Sequence, residues 1–367
     1  MAHQAGRSNL LGRMRDSIRS RASSIAEVRG RMRASFRAAF TSRTDLLAVV
    51  PGMLVVWAVA STIISPRSGL PAMLMVFEPL IFILVTVPMA PLALWRRART
   101  LAAALAVAVI LGGCLFGSEW ISLPGSGAGR HDISVMSWNV QFGTRTPSDQ
   151  AAQLHAATAD LVALLEVEPD ASAAIDSDPN VAAHYPYRAL VPRVGPWGLA
   201  LLSRYPISDV TSTSGRACLD LYVAAPQGRI HVIVAHPNHA AIETVTRLRL
   251  PVGYDPSDRD GEIAGVRDRI DAALSNGDRL LVLGDFNTAP SEAEYSILTR
   301  GLRDTHVEVG EGPGWTWRPS RIDFLPFGFL RIDLQLTAGA IRPASTSIDC
   351  SLPGDHCRLF GDYEIDQ

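Results

Sequence analysis

The sequence contains no lysine: all 34 of its cationic side chains are arginine. This excludes Schiff-base chemistry at a lysine and the usual phosphate-binding loop, which carries a lysine after its glycines. Cysteine is also scarce, with four residues. Because Cys114 lies in an apolar run, we expect at most one disulfide among Cys218, Cys350 and Cys357. Cys350 and Cys357 are the nearer pair, and the spacing does not suit a zinc site.

Charge is divided unevenly along the chain. Residues 1–130 carry 15 Arg and 5 acidic residues, whereas residues 131–367 carry 19 Arg and 31 acidic residues, a net charge of −12. A hydrophobic content of 47% and a positive mean hydropathy are typical of a globular domain joined to membrane segments. The acidic C-terminal part lacks the basic stripe on which nonspecific nucleic-acid binding depends.

Three long apolar runs are each close to the roughly 20 residues needed to cross a bilayer. The runs are 46–65, 70–95 and 101–117. They predict a multi-pass membrane anchor over 45–120, between a basic arm at 1–44 and a Gly/Ser/Pro-rich linker at 121–130. The distribution of arginine predicts a cytoplasmic N-terminus and an extracytoplasmic C-terminal domain. If the short third run is instead re-entrant or peripheral, the domain stays inside.

Two charged features belong to this membrane part. The ten arginines of the arm suit either contact with anionic lipid headgroups or topology determination alone. Glu78 lies in the second apolar run, where a charge is costly and marks a functional site by default. We expect it to pair within the helix bundle. The lipid bilayer is thus one predicted partner, and no obligate protein partner is evident.

In residues 131–367, polar side chains follow short apolar runs. Strands are predicted at 133–138, 161–165, 198–203, 219–225, 229–235 and 280–283, and helices at 148–160, 258–275 and 291–299. Asn139, Glu166 and His236 each come directly after such a strand. After the strand at 280–283, Gly284 is expected to turn, and Asp285 and Asn287 follow. In layered α/β domains this edge of the sheet is where ligands bind.

Six motifs occur in order along this domain: WNV at 138–140, LLEVE at 164–168, AHPNH at 235–239, GDFN at 284–287, RID at 331–333 and GDH at 354–356. Together they resemble the endonuclease/exonuclease/phosphatase superfamily over essentially all of residues 131–367. The resemblance implies an α/β fold, a four-layered sandwich of two packed mixed sheets flanked by helices. It also implies an active site at one end and metal-dependent hydrolysis of a phosphoester bond.

The residue types suit that reaction. Phosphoester cleavage needs a hard cation, a base for the attacking water and donors for the charge that grows on oxygen. Glu166 is the predicted ligand of Mg²⁺, or of Mn²⁺, with Asn139 as a ligand or neighbouring amide. Asp285 is predicted to orient and deprotonate water, and Asn287 to hold water or phosphate beside it.

His356 is predicted to donate to a phosphate oxygen, a role that requires a carboxylate on its other ring nitrogen. By resemblance, Asp333 is that carboxylate and Asp355 is a second metal ligand or a supporting group. His236 matches the family's second histidine, a phosphate donor or leaving-group acid. Asn238 is a less specific candidate for substrate contact.

Two positions depart from the family pattern, with Gly354 where Ser is common and Cys357 where Arg is frequent. They affect the expected substrate more than the expected activity. The family's mid-chain tyrosine or arginine is matched only weakly, by Tyr187 or Arg188. Three hypotheses follow: a membrane-anchored phosphodiesterase or nuclease, a phosphomonoesterase or lipid-headgroup phosphatase, and an inactive sensor. The substrate of the first two is a nucleic acid, a phospholipid headgroup or a small phosphoester.

Overall fold

The computed structural model describes residues 43–121, 131–143, 146–155, 157–213, 218–245 and 250–366. Most of the predicted arm and linker therefore lie outside the described residues. The chain forms two compact units, one of residues up to Trp57 together with Phe82–Leu111, the other of Ala58–Ile81 together with Gly112 onward. The catalytic candidates all belong to the second unit.

The N-terminal part is helical. Its helices are α1 (Arg43–Leu46), α2 (Val49–Ile64), α3 (Gly69–Val76), α4 (Glu78–Arg96) and α5 (Arg99–Trp120). By length and composition α4 and α5 can each cross a membrane, and α2 with α3 qualifies only as a pair bent by 111°. The described residues thus hold two candidate spans, or three if the bent pair counts as one.

The second predicted apolar run is not one helix, because it breaks at Phe77 between α3 and α4. Pro79 lies in the first turn of α4, where the N–H that proline lacks would have no partner within the helix. Glu78 begins α4 and is buried, and it accepts a hydrogen bond of 3.2 Å from the hydroxyl of Ser61 in α2. This contact agrees with the pairing expected of Glu78.

The C-terminal domain contains two six-stranded mixed sheets and a separate hairpin. The strands are β1 (Ile133–Asn139), β2 (Leu161–Leu165), β3 (Tyr187–Val191), β4 (Leu199–Ser203), β5 (Ile207–Ser212), β6 (Cys218–Ala225), β7 (Gly228–Ala235), β8 (Ala241–Val245), β9 (Leu250–Asp255), β10 (Leu280–Asp285), β11 (Arg303–Asp304), β12 (Asp333–Ala338), β13 (Ile341–Asp349) and β14 (Arg358–Ile365). The first sheet has the order β13-β14-β1-β2-β4-β3 and the second has the order β11-β12-β10-β7-β6-β5, while β8 pairs with β9.

Helices cover the outer face of each sheet. They are α6 (Pro147–His155), α7 (Pro169–Ser177), α8 (Pro179–His184), α9 (Ser257–Asn276), α10 (Ala293–Thr299) and α11 (Thr305–Val309). One apolar cluster, which includes Val135, Leu165, Val232 and Leu283, fills the space between the sheets. Two further clusters pack α6–α8 on the first sheet and α9–α10 on the second. The predicted four-layered α/β sandwich is confirmed.

Candidate active site

The carboxyl ends of the central strands bring the predicted site residues to one edge. In the first sheet β1 runs parallel to β2, so that Asn139 and Glu166 lie side by side where these strands end. In the second sheet β7 runs parallel to β10, which places His236 next to Asp285. Both faces of these strands are largely buried, and each strand ends in, or is followed directly by, a polar side chain of the site.

Two antiparallel strands complete the edge from the other direction. Asp333 begins β12 and pairs in register with Asp285 at the end of β10. His356 lies two residues before β14, which pairs with β1. The site is therefore assembled from residues more than 200 positions apart, and its two halves come from different sheets.

The backbone around Asp285 is tightly constrained. A Cβ atom on Gly284 would lie 1.8 Å from the carbonyl oxygen of Ala235, so only glycine allows β10 to approach β7 this closely. Gly284 is part of the strand, which continues to Asp285, and not the turn expected from the sequence. Asn287 and Glu166 have φ angles of 50° and 64°, a conformation that is uncommon outside glycine and concentrates at functional sites.

Asp285 is held by amide and backbone donors. Its Oδ1 accepts from the backbone N–H of Asn287 at 2.9 Å, and its Oδ2 accepts from the side-chain amide of Asn139 at 3.1 Å. The same amide donates to Glu166 Oε1 at 2.9 Å. Asn139 thus links carboxylates that follow strands of different sheets. The side-chain amide of Asn287 donates to the carbonyl of Pro237, which fixes the loop after β10.

Two buried histidines lie near the same carboxylate oxygen of Asp285. His356 Nε2 lies 3.5 Å and His236 Nε2 lies 3.6 Å from Asp285 Oδ2. His236 Nδ1 contacts the carbonyl of Pro196 at 3.0 Å, so this nitrogen must carry a proton and donate it. His356 Nδ1 lies 2.9 Å from Asp333 Oδ2, the predicted histidine–carboxylate pair.

The charges of this cluster shift its pKa values. Burial alone would lower the pKa of His356, but the carboxylates of Asp333 and Asp285 outweigh it and raise that pKa to about 10. The pKa of His236 is also raised, because the hydrogen bond and charge of Asp285 outweigh burial. Burial would raise the pKa of Asp285, yet the charge of His356 and the contact with His236 hold it below its usual value. The cluster therefore combines an ionised carboxylate with a cationic donor, His356, and a second histidine whose pKa is raised.

Two sets of side chains are candidates for a cation. Among the described residues, Asp285, Asp333 and His356 offer ligand atoms within 4.8 Å of one another. The raised pKa of His356 favours its protonated form, which cannot coordinate a metal. This set is therefore better suited to hydrogen bonding than to metal binding.

The second set is the predicted one, Glu166 with Asp355. The Oδ1 atom of Asp355 is buried and has no hydrogen-bond partner within the described part of the chain. Burial raises the pKa of Asp355 to about 6, with the Glu166 carboxylate adding to the rise against the charge of His356. A buried carboxylate oxygen without a donor, beside a second carboxylate, suits a hard cation such as Mg²⁺ or Mn²⁺.

Two predicted substrate contacts have different outcomes. Asn238 lies on the loop after β7, half-buried, and its backbone N–H donates to Glu262 at 2.6 Å. Tyr187 is not brought to the site. It begins β3 and pairs with Ser203 at the end of β4, whereas the site lies at the other end, where Val191 pairs with Leu199. The antiparallel pairing of β3 with β4 separates Tyr187 from the catalytic edge.

Two buried arginines support the site and were not predicted. The Arg318 guanidinium donates to the carbonyls of Cys350, Leu352 and Gly354, in the loop that carries Asp355 and His356. The side chains of Arg318 and of the second arginine, Arg259, are fully buried, although arginine is usually a surface residue. No local pattern in the sequence distinguishes such an arginine from an exposed one.

The second arginine, Arg259 of α9, holds the loop after β10. It donates to the carbonyl of Asn287 at 2.7 Å and to the hydroxyl of Tyr254 at 2.8 Å. It also forms an ion pair of 2.8 Å with Glu292. A disulfide joins Cys350 to Cys357, the nearer of the pairs considered from the sequence.

Fold and site together define a layered α/β hydrolase whose centre is built from carboxylates, amides and two histidines. Residues 136–356, more than half of the chain, match the model of the Endonuclease/Exonuclease/phosphatase family. The chain belongs to this family and is a phosphoester-hydrolysing enzyme. No curated protein matches the sequence.

Solved structures with a similar fold come from several organisms. Truncated TDP2 from Caenorhabditis elegans is 15% identical, with a TM-score of 0.48, and the match covers 63% of this chain and 96% of that one. The 3′ phosphatase NExo from Neisseria, bound to a product DNA hairpin, is 20% identical (TM-score 0.46; 64% and 100% covered). The human Nocturnin catalytic domain is 16% identical (TM-score 0.46; 64% and 94% covered).

Proposed function

We propose that this chain is a membrane-anchored, metal-dependent phosphoester hydrolase that acts on phosphodiesters. The observation that carries the proposal is the continuous set of contacts from Asp333 through His356 and Asp285 to Asn139 and Glu166. This set provides a base, cationic donors and a ligand for a hard cation within one buried edge.

Each residue has a role that follows from its surroundings. Asp285, ionised and held by two amide groups, takes the proton of the attacking water. His356 and His236 donate to phosphate oxygens, and their charge stabilises the negative charge that develops in the transition state. Glu166 and Asp355 would hold the divalent cation, which when bound neutralises phosphate charge and stabilises the leaving oxygen. Asn287 orients water or phosphate beside Asp285.

The experiment uses the full chain in lipid nanodiscs with Mg²⁺ or Mn²⁺ and methyl 4-nitrophenyl phosphate as the diester. Asp285→Asn removes the base and is expected to lower kcat about 10²- to 10⁴-fold, as removal of a positioned base does. His356→Ala is expected to lower it comparably, and EDTA should abolish it. Asp176→Asn, at an exposed aspartate paired with Arg188, is the matched control and should leave kcat unchanged.

Full activity in both site variants would exclude these roles. Faster release of phosphate from 4-nitrophenyl phosphate than cleavage of the diester would favour the phosphomonoesterase instead. No hydrolysis of either compound, or of an oligonucleotide, would favour the inactive sensor.

Anchoring and topology form the second part of the proposal. By length and composition α4 and α5 are each candidate spans, and α2 with α3 makes a third if this bent pair counts as one. Three passages place the two chain ends on opposite sides of a membrane, and Arg96 to Arg99 between α4 and α5 favour the cytoplasm for that turn. A C-terminal reporter that is active only outside the cytoplasm tests this; cytoplasmic activity would contradict it.

A further inference from the structure

The catalytic edge of the second unit packs against an apolar helix. Ala72 and Val76 of α3 share a buried cluster with Ala240, Tyr254 and Ala289. Ala240 and Ala289 belong to the loops that leave β7 and β10, the strands that present His236 and Asp285. These loops thus lie beside α3, which together with α2 forms the bent pair that could count as one membrane span.

A cavity of about 190 Å³ is lined by residues of the helices α2 to α5 and by loops of the C-terminal domain. Its walls are more apolar than polar: they include Met75, Leu115, Phe116 and Trp315, together with the carboxylates of Glu78 and Glu119. An engineered cavity of about 150 Å³ with apolar walls is large enough to hold benzene, so this one has room for several carbons of a hydrocarbon chain.

The cavity adjoins the catalytic residues along two segments of the chain. Ala289 lines it two residues after Asn287, and Arg331 lines it two residues before Asp333. At about 3.8 Å between consecutive Cα atoms, the Cα atom of each wall residue lies at most about 7.6 Å from the Cα atom of its catalytic neighbour, and the catalytic side chains themselves are not among the lining residues. A short linker between a phosphate and a hydrocarbon chain spans such a distance.

Two donors in the cavity wall lack acceptors. Ser291 Oγ and Arg331 Nε are both buried without a hydrogen-bond partner among the residues that the structure describes, and the side chain of Arg331 is 3% exposed. Each such donor is costly to bury, and each would be satisfied by an acceptor oxygen of a ligand. The ester oxygens of a glycerolipid are acceptors of this kind.

The hairpin beside the site also carries apolar side chains on its surface. Ile242 and Val245 of β8 and Val252 of β9 are 55%, 46% and 42% exposed. Tyr254 of the same hairpin packs against α3. An exposed apolar patch continuous with apolar helices suits a lipid surface.

We infer that the substrate is a membrane amphiphile whose phosphoester lies among the catalytic residues and whose hydrocarbon chain occupies this cavity. The inference rests on the proposed function. In the reaction, a water oxygen bonds to phosphorus, the bond from phosphorus to the leaving oxygen breaks, and that oxygen receives a proton. The hydrocarbon part takes no chemical role and contributes binding energy.

Chain-length dependence tests the inference with the full chain in nanodiscs. The probes are alkyl 4-nitrophenyl phosphates with methyl, butyl and octyl chains, each of which releases 4-nitrophenolate. Each methylene buried in the cavity is expected to raise kcat/KM about fourfold, until the cavity is full. Leu115→Trp fills the cavity, so it should lower kcat/KM for the octyl ester at least tenfold relative to that for the methyl ester.

Cys114→Trp is the matched control, because Cys114 is exposed on the same helix and does not line the cavity. The Cys114→Trp variant carries the same added ring, and the octyl ester partitions into its nanodiscs to the same extent. It should therefore keep the wild-type ratio of kcat/KM for the octyl ester to kcat/KM for the methyl ester. Equal octyl-to-methyl ratios in the two variants would overturn the inference. A wild-type octyl-to-methyl ratio of kcat/KM near one would also overturn the inference, as would cleavage of an oligonucleotide faster than cleavage of any alkyl ester.

A second measurement does not depend on catalysis. Dodecyl phosphate with a diazirine at the end of its chain is photolysed with the wild-type chain, and the labelled residues are mapped by mass spectrometry. Label on Met75, Phe116 or Trp315 is expected, and label confined to outward-facing residues such as Ile63 would overturn the cavity assignment. If the methyl ester is not hydrolysed but these residues are labelled, the proposed function fails while the binding site stands.

Discussion

The loop that carries Asp355 and His356 is closed by a disulfide, and removing this bond gives the most quantitative prediction. We consider the double variant Cys350→Ser, Cys357→Ser. For a loop closed at a sequence separation of 7, the chain-entropy relation gives about 2.5 kcal/mol of stabilisation. In a domain of this size about 1 kcal/mol corresponds to about 2–4 °C, so the Tm should fall by about 5–10 °C.

The same variant should retain most of its activity. The guanidinium of Arg318 still donates to three carbonyls of the loop, and the backbone N–H of Arg318 donates to the carbonyl of Asp355 at 2.8 Å. Hydrogen bonds from a charged donor contribute about 1.5–3 kcal/mol each, so together they outweigh the disulfide. We expect kcat/KM for the methyl diester to change by less than about threefold.

The assay follows intrinsic fluorescence during heating in nanodiscs, together with hydrolysis at 25 °C. Cys114→Ser, which removes an exposed thiol outside the loop, is the control and should change neither Tm nor rate. Dithiothreitol added to the wild-type chain should reproduce the lower Tm. A loss of activity above tenfold at an unchanged Tm would refute this reasoning, because the disulfide and not Arg318 would then position His356.

Two further predictions concern buried charges away from that loop. Arg259→Met leaves the buried carboxylate of Glu292 without its ion-pair partner and should destabilise the domain by about 3–5 kcal/mol; Arg229→Met, at an exposed pair, should cost less than about 1 kcal/mol in the same thermal assay. Burial alone would lower the pKa of His231, but the hydrogen bonds of its ring to Asp220 and Asp278 outweigh burial, so that the pKa of His231 is raised. Because the folded-state pKa exceeds the unfolded value, the stabilisation is complete below about pH 6.5 and disappears as the pH rises through the folded pKa. The Tm difference between wild type and His231→Gln should therefore be largest at acidic pH, and a difference that grows with pH would contradict it.

The catalytic strands could be predicted from the sequence because burial restricts their composition. β2 has the predicted bounds, and β1, β7 and β10 are each within two residues of the prediction. A strand with both faces buried is mostly apolar until the chain reaches the edge, so the acid or amide that ends the apolar run marks the site, although β1 also contains Ser134 and Ser137. Asn139 and Glu166 were located in this way, and the structure shows them in contact.

Other features depend on tertiary contacts that a local pattern does not contain. Hydropathy over residues 70–95 is continuous, and proline does not mark the break between α3 and α4, because Pro88 and Pro91 lie inside α4. Tyr187 was assigned to the site by motif position, but the direction of β3 carries it to the opposite end. The pairing of Asp333 with His356 could be expected only from the family resemblance.

The buried arginines explain how loops can hold a precise site. The strands end at Asn139 and Asp285, but Asn287, Asp355 and His356 lie beyond them, where the sheets do not extend and the backbone is held by local contacts such as the single β-bridge between His356 and Trp317. Arg259 supplies donors to the loop after β10, and Arg318 does so for the loop before β14. A guanidinium has five donors in a rigid plane, and can therefore bond several carbonyls of one loop at once. In a chain without lysine, arginine thus serves as a substitute for missing secondary structure around the catalytic groups, and the site is preorganised before substrate or cation binds.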